Sequence, residues 1–112
     1  MTGSFDERRK AHEEKWAHDE DLKFKVHARR DKLLGEWAAE EMGQKGPQMH
    51  VYAQSIVQAD LSTAGEDDVL KKLRADFTAK KIAHSDHVIR RQMDALLKIA
   101  QEQVMNEKPK SR

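Results

Sequence analysis

Four small constellations in this sequence have residue types and spacings that could do chemistry. His84 and His87 stand three apart with Asp86 between them, a spacing that brings two imidazoles to one helix edge as a metal would require. No sequence-local third ligand accompanies them, so they read as solvent-facing histidines at a helix terminus. Glu14 and His18, at i,i+4, could share a proton, but on so charged a segment the pair reads as surface pairing. Gly43 and Gly46 flank Gln44-Lys45 just ahead of Pro47, where backbone N–H groups at a helix start could cradle a phosphate. Pro47 removes one of those N–H groups, and a plain interhelical turn accounts for the glycines better. The pairs Arg29-Arg30, Lys71-Lys72, Lys80-Lys81 and Arg90-Arg91 could meet phosphates too, yet all are interspersed with acids and read as solvated helix faces.

Larger catalytic patterns do not assemble. There is no Walker sequence, no Gly-x-Gly-x-x-Gly and no His-Glu-x-x-His. With no cysteine there is no thiolate zinc site, no thiol nucleophile and no disulfide framework. No nucleophile, base and oxyanion donor can be put together, so the chain reads as a non-enzyme. The 21 Lys and Arg against 20 Asp and Glu leave a net charge of +1, which argues against nucleic acid as a partner because phosphate binding needs a basic surplus. No apolar run nears the roughly 20 residues of a membrane span, and the charged N-terminus lacks a secretory signal. A cytoplasmic protein without membrane insertion is expected.

The elements that must position these residues are helices. The 112 residues suffice for one domain. Leu, Ile, Val and Phe make up just under a fifth of the chain, which would suggest disorder if the net charge were also high; it is not. What remains is an Ala-, Lys-, Glu- and Arg-rich helical chain with a thin core. Val26, Leu33, Leu34, Trp37, Ala38 and Met42 recur at helical spacing, interrupted by Arg29 and Arg30, and Gly43 suits the C′ position. Pro47 opens a second stripe of Met49, Tyr52, Ala53, Ile56 and Val57. Leu61 to Gly65 reads as a turn. The acids Glu66, Asp67 and Asp68 then suit the start of a third helix, with Val69, Leu70, Leu73 and Phe77 as its stripe. Ser85 is a candidate N-cap for a fourth, whose stripe is Ile89, Met93, Leu96, Leu97, Ala100 and Val104.

These spacings predict an all-α four-helix bundle over residues 21–106, with helices near 21–43, 47–61, 66–82 and 85–106. The expected core is Leu33, Trp37, Tyr52, Ile56, Leu70, Leu73, Phe77, Ile89, Met93, Leu96 and Ala100. Residues 107–112 read as a disordered basic tail.

Residues 1–20 stand apart. A helix running from Phe5 to Met42 would be roughly 57 Å long, more than its partners can cover, so this segment reads as an arm, helical or disordered. Ser4 and Glu7 fit a capping box. Phe5, Arg9, His12 and Trp16 would share one helix face, able to lie in a partner's groove, and an exposed Trp is a usual anchor. Ordering about fifteen residues costs roughly 1–2 kcal/mol each, more than two aromatics at about 2–3 kcal/mol apiece can offset. A partner would have to add charge-assisted contacts to Asp6, Arg8, Arg9, Glu13 and Lys15. The bland alternative is a solvated arm without a task.

A resemblance covers nearly the whole chain. Phe5-Asp6-Glu7-Arg8, Glu13, Lys15-Trp16-Ala17-His18-Asp19, Phe24, Ala28-Arg29-Arg30, Lys32-Leu33-Leu34-Gly35 and Trp37-Ala38 are similar to the zeta-subunit family of alphaproteobacterial F-type ATP synthases. So are Tyr52-Ala53, Asp60, Gly65-Glu66-Asp67-Asp68-Val69 and Lys72. The resemblance implies a regulatory subunit that binds the catalytic head and inhibits ATP hydrolysis through its N-terminal arm. The partner-binding residues would be Phe5, Asp6, Arg8, Arg9, His12, Glu13, Lys15 and Trp16. It also implies weak binding of ADP or ATP at a site the sequence does not assign, with no cofactor required. The free chain is expected to be monomeric, and peripheral at the inner membrane when bound to the synthase. The competing expectation is a soluble adenine-nucleotide-sensing helical protein with little inhibitory activity.

Overall fold

A computed structural model of the chain describes residues 20–62 and 66–107. They form four helices: α1 (Glu20–Glu41), α2 (Pro47–Ser62), α3 (Glu66–Ala79) and α4 (Asp86–Asn106). The expected all-α four-helix bundle is what the chain adopts. Helix α1 is central, lying along both α2 and α4, while α3 closes the arrangement with smaller contacts to α2 and α4.

Local chemistry explains where the helices stop. At the end of α1, Gly43 takes φ +81°. Its N–H bonds Glu40 O at 3.0 Å and the Gln44 N–H bonds Ala39 O at 2.9 Å, the paired bonds of a Schellman cap. Helix α1 therefore ends at Glu41, two residues short of the expected 43. The same cap ends α3 at Ala79, three residues short of the expected 82. Lys81 takes φ +62°, its N–H bonds Thr78 O, and the Ile82 N–H bonds Phe77 O at 2.8 Å. The cap turns Ile82 back against the core beside Phe77, which is the hydrophobic contact such a motif favours. No glycine marks this stop, so helical spacing alone ran past it. Helix α2 continues to Ser62, taking in Leu61, and 63–65 lie outside the described residues. Ser85 caps α4 as expected, its side chain accepting from the Val88 N–H at 3.2 Å.

The core has two parts. Leu34, Ala38, Ile56, Val69, Leu70, Leu73, Phe77, Ile89 and Met93 form the larger one. Val26 on α1 with Ala100 and Val104 on α4 form the smaller. Ile56, Leu70, Leu73, Phe77, Ile89, Met93 and Ala100 are buried as expected. Leu33, Trp37, Tyr52 and Leu96 are not; they sit half-buried at the rims. For α1 the reason is a shift of helical phase. Its buried face is Val26, Arg30, Asp31, Leu34, Gly35, Ala38 and Ala39, which leaves Leu33 and Trp37 flanking it. Small residues dominate that face because α2 comes very close: a Cβ on Gly35 would lie 2.5 Å from the Ala53 Cα.

The buried face also holds charge. Arg30, expected to interrupt the apolar stripe from outside, is 1% exposed, as is Asp31 beside it. Its Nε donates to Asp31 Oδ1 at 2.8 Å. A guanidinium is buried only when its charge is answered by a nearby carboxylate or other acceptors, and Asp31 supplies one. At the other end, Glu107 is not a free tail residue: it caps α4 and ion-pairs with Arg29, which also donates to Gln103 Oε1 at 2.8 Å. Residues 108–112 lie outside the described residues.

Candidate functional site

Two regions bear on function: the start of α1, where the N-terminal segment joins the bundle, and a cavity at the opposite end of that helix. The expected partner-binding residues Phe5, Asp6, Arg8, Arg9, His12, Glu13, Lys15 and Trp16 lie outside the described residues, as do Glu14 and His18. What is described is their attachment. Helix α1 begins at Glu20, with Glu20 and Asp21 in its first turn, where carboxylates answer the positive end of the helix dipole. Phe24, one turn further, is 56% exposed, an aromatic left to solvent next to the segment that carries Phe5 and Trp16.

The cavity, of about 620 Å3, opens where the α1–α2 turn meets the end of α3. Met42, Pro47, Val51 and Tyr52 supply apolar walls; Gln44, Gln48, Ser55 and Lys80 supply polar groups. Gly43 and Gly46 shape the turn: Gly46, at φ +60°, leaves its carbonyl to accept the first helical bond of α2 from the His50 N–H at 3.2 Å. The glycines thus shape the interhelical turn that the sequence leads one to expect.

Tyr52 is the best-anchored wall of this cavity. Its hydroxyl donates to Asp76 Oδ2 at 2.6 Å, and Lys72 Nζ donates to the same oxygen at 3.1 Å while lying 5.4 Å from the ring centroid. Burial, and then the bond to the Asp76 carboxylate, hold the phenol protonated far above its ordinary range. Ser55 Oγ donates to Tyr52 O at 2.6 Å. Gln44 Oε1 is buried with no hydrogen-bond partner among the described residues, a lone acceptor beside the cavity. A bound molecule would meet apolar walls, the Lys80 cation and the unpartnered Gln44 acceptor.

His84 departs from its expected place. Its ring is half-buried rather than facing solvent, 5.5 Å from Trp37 and edge-on to Phe77 at 4.9 Å. Nε2 lies 2.9 Å from Glu41 Oε1. The histidine ties the α3–α4 loop to the end of α1, while His87 is exposed as expected. Among the described residues no three His, Cys, Asp or Glu side chains converge as a metal would need. Several cations of the basic pairs prove to be ties within the bundle: Lys72 to Asp76 and Arg90 to Asp67, each at 3.1 Å, besides Arg29 and Arg30; Arg74, outside those pairs, is tied to Asp86 at 3.1 Å. The burial of the Arg30–Asp31 pair and the Tyr52–Asp76 bond were not legible in the sequence, since each depends on which helix faces which.

Among the described residues no helix is long and apolar enough to cross a membrane. A family model described as ATPase inhibitor subunit zeta matches residues 1–103. A solution NMR structure is similar to the chain at 36% identity, covering 78% of this chain and 99% of its own, with a TM-score of 0.68. No curated protein matches.

Proposed function

Because the chain belongs to the ATPase inhibitor subunit zeta family, and is thereby a regulatory protein and not an enzyme, we propose that it binds the catalytic head of the F-type ATP synthase. There it inhibits ATP hydrolysis through residues 1–20. The observation that carries this reading is the extent of the family match, which runs through the N-terminal segment as well as the bundle. The placement of that segment supports it. It leads directly into α1, the most extensively packed helix, so a wedge formed by Phe5, Arg9, His12 and Trp16 would be braced by the whole bundle. Asp6, Arg8, Glu13 and Lys15 supply the charge-assisted contacts that repay the ordering of the arm. A helix lodged between catalytic subunits opposes the closure that each hydrolysis cycle requires. The chain joins the membrane-bound enzyme peripherally, through the head alone, and is monomeric when free.

The test compares the full chain with a variant lacking residues 1–20 on the cognate ATPase. Inhibition by the full chain and its loss on truncation are expected; equal inhibition by both would refute the assignment to the arm. Inhibition by neither would favour the second reading, an adenine-nucleotide-sensing protein. The cavity at the α1–α2 turn, with its apolar walls, Lys80 and the unpartnered Gln44 acceptor, supports weak ADP or ATP binding.

A further inference from the structure

Between α1 and α2 lies a pair of carboxyl groups that no part of the proposed inhibition uses. Asp31 is wholly buried, its Oδ1 held by Arg30 Nε at 2.8 Å, and its carboxyl hydrogen-bonds that of Asp60 on α2. Two carboxyl groups bond to each other only by sharing a proton. With Arg30, the closed cluster then holds one positive and one negative charge. Loss of the proton leaves two carboxylates facing one another with a single cation between them.

The surroundings leave these groups to settle the matter. The charges acting on Asp31 are Arg30 on its own helix and Asp60 on α2. His27 lies one turn back on α1 and is half-buried. Helix α4 faces this half of α1 with apolar Leu97, Ala100 and Val104. From α3, Asp67 and Asp68 are both exposed, and Asp67 is paired with Arg90. Burial first, and then the bond with Asp60, push the Asp31 carboxyl up to about 8, against the lowering pull of Arg30.

We infer that Asp31 and Asp60 form a proton-dependent latch, clamping the last turn of α2 to α1 while they share a proton and loosening as the pH rises. The sign follows from proton counting. The closed pair holds one proton that the parted pair, with both carboxyls at ordinary values near 4, does not. Opening therefore releases a proton, and each pH unit between about 4 and 8 favours it by up to tenfold; above about 8 the dependence levels off. The latch sits in α1, the helix that begins at the N-terminal segment, and holds the end of α2 against it. It does not depend on what that segment binds.

Nuclear magnetic resonance of the full chain tests this by two readings. The Asp31 carboxyl carbon should titrate several pH units above an ordinary aspartate. Amide protection of residues 56–62, corrected for intrinsic exchange, should fall several-fold per pH unit between 5 and 8, while protection around Ile89 and Met93 stays level. In Asp31→Asn the slope at 56–62 should vanish. Should that variant fail to fold, Asp60→Asn serves instead: its amide donates to an ionised Asp31, so the Asp31 midpoint should move down. An Asp31 midpoint in the ordinary carboxylate range, or the wild-type slope persisting in Asp31→Asn, would overturn the latch, as would an unmoved midpoint in Asp60→Asn.

Discussion

Replacing Gly35 with alanine sets two well-characterised effects against each other, and the geometry decides between them. In a helix interior the change from Gly to Ala is worth about 1 kcal/mol in favour of the variant. Here the new Cβ would stand 2.5 Å from the Ala53 Cα, 3.2 Å from the Ala53 Cβ and 3.2 Å from the Ile56 Cγ1. Carbon atoms rest at about 3.5–4.0 Å, so α1 and α2 must part by about 1 Å at this crossing. The nearest atom is backbone, and no rotamer change can relieve it. A gap of that size forfeits a quarter to a half of each contact's attraction across the interface. Summed over Leu34, Ala38, Ala53 and Ile56, that amounts to roughly 2–3 kcal/mol, in line with measured costs of overpacking.

The net expectation for Gly35→Ala is a loss of about 1–2 kcal/mol after the helix-propensity gain. In a domain of this size, thermal unfolding should shift down by about 4–8 °C per kcal/mol. Urea denaturation followed by circular dichroism at 222 nm measures both the loss and the slope. Adding Ala53→Gly should restore little, because it removes the 3.2 Å contact and leaves the 2.5 Å one. A Gly35→Ala variant as stable as the parent, or more so, would show that α1 and α2 do not approach as closely as described.

Two further substitutions probe the helix ends. Ser85→Ala removes the acceptor for the Val88 N–H and should cost about 0.5–2 kcal/mol in the urea midpoint, with an unchanged midpoint counting against the cap. Lys81→Gly should stabilise by up to about 1 kcal/mol, since glycine takes φ +62° without the Cβ penalty that lysine bears there; a loss of stability would mean the Lys81 side chain has a role the backbone does not reveal.

The uneven legibility of this fold has a physical origin. Helices α3 and α4 rest on the bundle with one face, so Val69, Leu70, Leu73, Phe77, Ile89 and Met93 write a plain apolar stripe. The turn at Gly43–Pro47 and the Ser85 cap were readable because each depends on residues adjacent in sequence. Helix α1 is touched on two sides, and its buried face mixes Val26 and Leu34 with Arg30, Asp31 and Gly35. A hydropathy period counts the last three as outward-facing. Arg30 and Asp31 answer each other within α1, but that this face is buried, and that Ala53 leaves Gly35 no room for a side chain, depends on the helices packed against it and is not visible within one helix. His84 was misplaced for the same cause, since the partners that draw it inward, Trp37, Phe77 and Glu41, come from two other helices.

The distribution of packing along the chain bears on how an inhibitory arm could work at all. An arm hinged on a loosely held helix would yield when the catalytic subunits close, and the bundle would follow it without resistance. Here the segment leads into α1, which is held by α2 through close backbone approach and by α4 through Val26, Ala100, Val104 and the Arg29–Glu107 pair. A force applied at Glu20 is thus borne by the most extensive helix contacts among the described residues before it reaches α3. Besides the Arg29–Glu107 pair, that load path holds the buried Arg30–Asp31–Asp60 cluster, whose proposed hold depends on a single proton. Stiffness along α1 is therefore the property that both the proposed wedge and the proposed latch act through, and the pH dependence of inhibition by the full chain would show whether the two are coupled.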